Sequence, residues 1–215
     1  MRRALLVLFV LAVGCAVGAG WFALNASAQR AAEAESLKKT IAARRDELLN
    51  DPDAPVAGNV VGNTTLVEFF DYNCPYCRRV AATVTDVVDD DPDLRLVYKE
   101  FPILGPGSQF AARAALASRK QAKYVPFHEA LMAADGQVGE DGVLEIASQV
   151  GLDVDRLRRD MEDPAIEAAI RRNLELANAL GITGTPSFVI GDRVVPGAVD
   201  RTTLESLIAR ARRSS

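Results

Sequence analysis

Cysteine and histidine are scarce in this chain: 215 residues include three cysteines and one histidine. A structural zinc site takes about four Cys or His ligands, usually as two spaced pairs. One close cysteine pair and His128 do not supply them. A secreted fold stapled by disulfides needs several well-separated cysteines, and these are missing too. Basic residues are not in excess, since 25 face 29 acidic ones for a net charge of −4. That sign argues against a nucleic-acid partner, which selects a basic stripe. No internal repeat and no long low-complexity tract occurs. Hydrophobic content of 49% and charged content of 25% are ordinary for a globular protein, and the length suits one sizeable domain plus an appendage.

The appendage comes first. Met1-Arg2-Arg3 precedes 21 positions, 4 to 24, without a charge, and then Ala26-Ser27-Ala28. The small-x-small triplet fits signal-peptidase cleavage, giving a signal peptide over 1–28. The run is also long enough, at ~20 residues, to stay as an inner-membrane anchor with its arginines in the cytoplasm. Cys15 in "LAVGC" offers a third reading, a lipidated cysteine. All three send the rest of the chain into the periplasm or beyond. Loss of residues 1–28 leaves 23 basic against 29 acidic residues, a net −6, and the Cys74/Cys77 pair as the remaining cysteines.

Residues 29–50 contain strong helix formers and no Gly or Pro. Leu37, Ile41 and Leu48 form a narrow apolar stripe. The stripe either docks on the body of the protein or forms a short homo-oligomerisation seam. Residues 51–63, with two prolines and two glycines, read as a linker, and "DDDPD" at 89–93 as a solvated acidic turn. "TTLVEFFDY" is a buried central strand by its nearly continuous apolar run. A helix starts around Cys74, and "LRLVYKEFP" is the next strand. Residues 108–180 are helical, with breaks at Pro126, Gly136, Gly139, Gly151 and Pro164. "PSFVIG" and "RVVPG" form a hairpin around Gly191-Asp192, and a last helix follows, with Asp200 or Thr202 to cap it. The fold class is α/β, a small sheet split by a helical insertion, with the cysteine pair at the carboxyl end of its first long strand. Sites in α/β sheets gather at that end.

A disulfide between Cys74 and Cys77 would close too small a ring to brace the fold, so redox work is the reading that fits. At a helix start, the two lie one turn apart on one face. Pro75 suits a first helical position. Unpaired amides and the helix dipole favour a thiolate at Cys74, while Cys77, deeper in, resolves. Another class of function uses the same atoms: a Cu(I)-sequestering protein with Cys74 and Cys77 as soft ligands.

"CPYC" after an apolar strand, with "GTPSFVI" later, resembles the thioredoxin fold. The export segment and the long helical block before "GTP" are similar to the DsbA family of thiol:disulfide oxidoreductases. The resemblance covers residues 60–213, as a domain over 64–213 with a helical insertion at about 105–181. "FFDYNCPYC", "YKEFPILGP" and "GITGTPSFVIG" look closest to the branch of the suppressor-of-copper-sensitivity protein C, some members of which carry an N-terminal oligomerisation helix. The resemblance implies Cys74 as nucleophile, Cys77 as resolving thiol and Pro186 as a cis-proline facing them. The Thr185 backbone would pair with an extended substrate. Glu68 would be a buried acid that relays the proton of Cys77, or an ion-pair partner of Lys99 on the neighbouring strand. Tyr76 stands where the best-known oxidase of the family has a thiolate-stabilising histidine, which tells against extreme oxidising power. His128 is a packing or capping residue. The implied activity is disulfide exchange with cysteine-bearing client proteins, as oxidase or as isomerase and reductase. It needs a membrane redox partner to reset the pair and no cofactor beyond the Cys74–Cys77 disulfide.

Overall fold

The computed structural model describes Trp21 and residues 25–214. The signal and anchor readings of residues 1–28 and the lipidation reading of Cys15 fall mostly on residues 1–24, which apart from Trp21 lie outside the described residues; residues 25–28 are helical. Among the described residues no helix is long and apolar enough to cross a membrane. The chain divides into two compact units between Thr40 and Ile41. In the first, residues 25–40 are helical and mostly exposed. They belong to α1, which covers 25–43; Arg44 is a turn, and α2 follows at Arg45–Leu49. The single helix expected over 29–50 is thus interrupted. Ile41 and Leu48 are buried within the second unit, where α2 packs on the sheet, so that part of the stripe is docked.

The second unit holds a five-stranded sheet of order β1-β3-β2-β4-β5: β1 Val56–Gly58, β2 Thr64–Phe70, β3 Leu94–Glu100, β4 Ser187–Ile190 and β5 Arg193–Pro196. β2 pairs parallel with β3 and antiparallel with β4. β1 departs from the linker expected at 51–63: three residues pair antiparallel with β3, Val56 against Val97. So short a strand carries no visible alternation and exists because β3 offers an open edge. The β4–β5 hairpin turns at Gly191, whose φ of +57 suits glycine. α3, Pro75–Asp89, is the crossover from β2 to β3. Between β3 and β4 run α4 Pro106–Ser118, α5 Tyr124–Ala133, α6 Glu140–Gln149, α7 Val154–Asp160 and α8 Pro164–Ala179. Pro126 does not break a helix; it sits in the first turn of α5, where a proline is tolerated, and the interruption falls just before it at Ala122, with φ 55. α9, Arg201–Ser214, closes the fold, and the Asp200 carboxylate accepts the Thr203 N–H at 2.7 Å. The acidic turn is not merely solvated: Asp90 and Asp91 pair with Arg201 and Arg212 of α9 at 2.6 and 2.7 Å.

Register sorts the side chains of the sheet. Glu68 lies opposite Tyr98 and Phe188, and Phe69 lies opposite Lys99 and Ser187. Alternate residues point to opposite faces, so Glu68 shares a face with Leu66 and Phe70 and lies on the side of α3 and α9. Lys99 points to the other side, so the Glu68–Lys99 ion pair does not form. Lys99 is buried and pairs with Asp51 at 2.9 Å. Burial pulls the Lys99 ammonium down from its ordinary range despite that partner. Burial would raise the Asp51 carboxyl, but the bond and charge of Lys99 bring it below the usual range. Asp51→Ala strands a buried ammonium and should cost about 3–5 kcal/mol. Asp51→Ala combined with Lys99→Met should recover most of it, read by urea denaturation of both variants.

Candidate active site

The turn after β2 delivers the cysteines. Cys74 is the N-cap of α3 with extended backbone, its N–H donating to the Asp71 carbonyl at 3.1 Å and its carbonyl accepting from the Arg78 N–H at 3.2 Å. Pro75 is the first helical residue, where its missing N–H leaves nothing unpaired. Cys77 follows at the third. Both cysteines are free thiols and buried, at 4% and 0% exposure.

The loop before β4 meets them. Cys74 Sγ donates to the Thr185 carbonyl at 3.2 Å, and the Thr185–Pro186 peptide is cis. The loop is tied on both sides, by Ser187 Oγ on the Gly184 carbonyl and by the Gly197 N–H on the Pro186 carbonyl, each at 2.8 Å. Residues more than a hundred positions apart in sequence thus share one site.

Burial sets the electrostatics. The Cys77 thiol is pushed well up by desolvation, and the charges of Cys74 and Glu68 add to that; hydrogen bonds from Asp71 and Thr185 oppose it. The Glu68 carboxyl is pushed up to about 8 by desolvation alone. Glu68 therefore keeps its proton near neutrality, and its charge, once formed, raises the Cys77 thiol further. Tyr76 points outward at 54% exposure, with the Arg79 guanidinium 5.2 Å from its ring centroid. Lys99 belongs to the opposite face and not to the site. His128 packs rather than caps: it lies inside α5, against Phe70, Tyr72, Tyr98 and Tyr124, with Nδ1 3.1 Å from the Tyr72 hydroxyl. Desolvation pulls its imidazole down to about 3, so it stays neutral.

Sequence reasoning passed over Asp71, Asn73, Arg78 and Ser108, which build the turn. Asp71 is 1% exposed and its carboxylate accepts four hydrogen bonds. Arg78 folds back to donate to the Tyr72 carbonyl at 2.7 Å and to the Ala134 carbonyl at 3.1 Å. The Asp-x-Asn of "FFDYNC" is an Asx-turn signal that could have exposed the first of these.

The model of the DSBA-like thioredoxin domain matches residues 65–209. A solved thioredoxin-like oxidoreductase from Silicibacter pomeroyi DSS-3 is 57% identical, covering 80% of this chain and 99% of that one, with a TM-score of 0.78. The catalytic domain of Proteus mirabilis ScsC is 30% identical over 81% and 97% of the two chains, TM-score 0.75. The thiol-disulfide exchange protein α-DsbA2 from Wolbachia pipientis is 29% identical over 86% and 98%, TM-score 0.78. Among curated proteins, the Na(+)/H(+) antiporter NhaA 1 of Salinispora arenicola is 28% identical over 169 residues, 78% of this chain. The chain spans about a quarter of the length of that relative and 31% of the Herminiimonas arsenicoxydans NhaA. The cysteine turn, the cis-proline loop and the helical insertion fall together within the matched residues, and the chain belongs to the DSBA-like thioredoxin domain family.

Proposed function

We propose that this protein is an exported thiol:disulfide oxidoreductase that exchanges disulfides with client proteins through Cys74 and Cys77. The observation that carries the reading is the Cys74 thiol at the start of α3, hydrogen-bonded to the carbonyl beside the cis-proline. There a client sulfur can be attacked while the client backbone lies along Thr185. In the reducing direction the Cys74 thiolate attacks one sulfur of a client disulfide, and the other leaves as a thiolate and takes up a proton. Cys77 then attacks Cys74 Sγ while Glu68, in its ionised form, takes the Cys77 proton; the second client sulfur leaves as a thiolate and takes up a proton from solvent, and Glu68 returns its proton to solvent. The client gains two electrons and two protons, and the enzyme is left as its disulfide. Client oxidation is the reverse: Cys77 leaves Cys74 and is protonated by Glu68.

Net oxidation of clients leaves the dithiol, so a membrane redox partner must take the electrons after each turnover. The periplasm is the matching compartment, reached by a cleaved signal peptide or with residues 1–28 as an anchor. A solved thioredoxin-like protein from Salmonella enterica serovar Typhimurium, 32% identical, is described as periplasmic. Self-association through the first helix would set several sites around one misfolded client and favour isomerisation. The Cu(I) reading uses the same sulfurs but leaves the Thr185 contact and Glu68 without a task, so exchange is the better account.

The test is a trap. Cys77→Ser should leave attack by Cys74 intact and remove resolution, so a disulfide-bonded client accumulates as a covalent adduct on Cys74, seen by intact-mass spectrometry and lost with dithiothreitol. No adduct, or an adduct at another residue, would overturn the assignment.

A further inference from the structure

Asp71 lies between the helical insertion and the nucleophile. Its Oδ1 accepts from the Asn73 N–H at 2.8 Å and the Ser108 hydroxyl at 2.7 Å; its Oδ2 accepts from the N–H groups of Ile103 and Leu104 at 2.8 and 3.0 Å. Those donors come from the cysteine turn, from the loop after β3 and from α4. Its backbone carbonyl takes the Cys74 N–H. One buried residue therefore ties the turn that carries the nucleophile's amide to two other segments, the loop after β3 and α4. A second tie runs beside it: the Asn73 side chain accepts the Val138 N–H at 2.7 Å and donates to the Val138 carbonyl at 3.1 Å. The packing here admits no slack. A Cβ on Gly107, in the first turn of α4, would lie 2.6 Å from the Val138 carbonyl oxygen and 3.1 Å from Asn73 Nδ2.

We propose that Asp71 is a positioning residue for client exchange: it fixes the cysteine turn to the loop after β3 and to α4, and so holds Cys74 in place beside the Thr185 carbonyl, so that a client's sulfur and backbone are engaged at the same time. This rests on the exchange reading above. The requirement is geometric. A polypeptide must satisfy two points, Cys74 Sγ and the Thr185 backbone, whose separation the turn sets. A small disulfide must satisfy one. Loosening the turn therefore penalises the polypeptide selectively, because misplacement erodes the advantage of pre-oriented groups.

Two probes with one leaving group separate the cases: a linear single-cysteine peptide and 2-mercaptoethanol, each carried as its mixed disulfide with nitrothiobenzoate. Cys74 attacks the probe's sulfur, and nitrothiobenzoate leaves with the electron pair and is read by absorbance. Asp71→Asn keeps the shape but turns an amide group toward two donors. It should lose ~10-fold in rate on the peptide and less than ~2-fold on the small probe. Ser108→Ala removes one bond of four and should lose ~3-fold on the peptide alone. Ser108→Ala leaves every charge of the site in place, so the pH dependence of its Cys74 alkylation by iodoacetamide should match that of the wild type. Equal losses on both probes, no loss, or a displaced alkylation profile in Ser108→Ala would overturn the role. Should Asp71→Asn expose Cys77 to alkylation, its fold has opened and Ser108→Ala decides: without a peptide-selective loss the role fails. A wild type inert to both probes would overturn the exchange reading, and the Asp71 role with it.

Discussion

Cys74→Ala should abolish disulfide exchange, lowering both insulin reduction and the refolding of scrambled ribonuclease by at least ~10³-fold, to the uncatalysed background. The reason is structural as well as chemical. Cys74 is the thiol that touches the Thr185 carbonyl, whereas Cys77 lies fully buried one turn further on and burial raises its proton affinity. Cys77 is the other thiol among the described residues, and its full burial keeps it from taking over the attack. Exchange persisting at the wild-type rate would refute Cys74 as nucleophile. The Cu(I) alternative answers differently, predicting reducing-condition titration of one metal per cysteine pair with no exchange by the wild type.

Glu68→Gln should act twice, on rate and on stability. As the proton holder for Cys77, Glu68 should be worth ~10²-fold in the resolving step, within the range for positioned acids and bases. Its stability effect follows from a folded pKa raised from 4.5 to about 8. Between those values the unfolded chain releases the proton that the folded protein keeps. Each rise in pH across that window favours unfolding, and the loss is complete above pH 8. At pH 7 the penalty is on the order of 3 kcal/mol. Below pH 4.5 it vanishes. Glutamine carries no such penalty, so the variant should be about as stable as wild type at pH 4.5 and clearly more stable at pH 8. Urea midpoints at the two pH values check this, and equal slopes of stability against pH in the two proteins would contradict a buried, proton-holding Glu68.

What could be read in advance was what short spacings encode. Cys-Pro-Tyr-Cys after an apolar run placed the helix start, and the apolar strands flanking a helical block placed the sheet. The rest depends on partners chosen in three dimensions. Lys99 had two candidate faces, and only the register of Phe69 against Lys99 sends it away from Glu68 to an aspartate 48 positions upstream. The donors that make Asp71 a junction lie up to 37 positions away, so its local Asx-turn is the sole fragment of the role visible in sequence. β1 is three residues long and contributes no pattern. Asp90 and Asp91 look like surface charge until α9 brings its arginines to them.

The rims of the sheet bear on how this chain meets other polypeptides. One rim is β1, three residues ending at Gly58 with φ +69; the other, β5, opens on Arg193 and ends on Pro196, which offers no N–H. Brevity, charge and proline each blunt a strand as a template for further strands. Apolar β-forming segments of a neighbouring chain thus find little to grow onto, so the sheet is a poor seed for intermolecular strand growth.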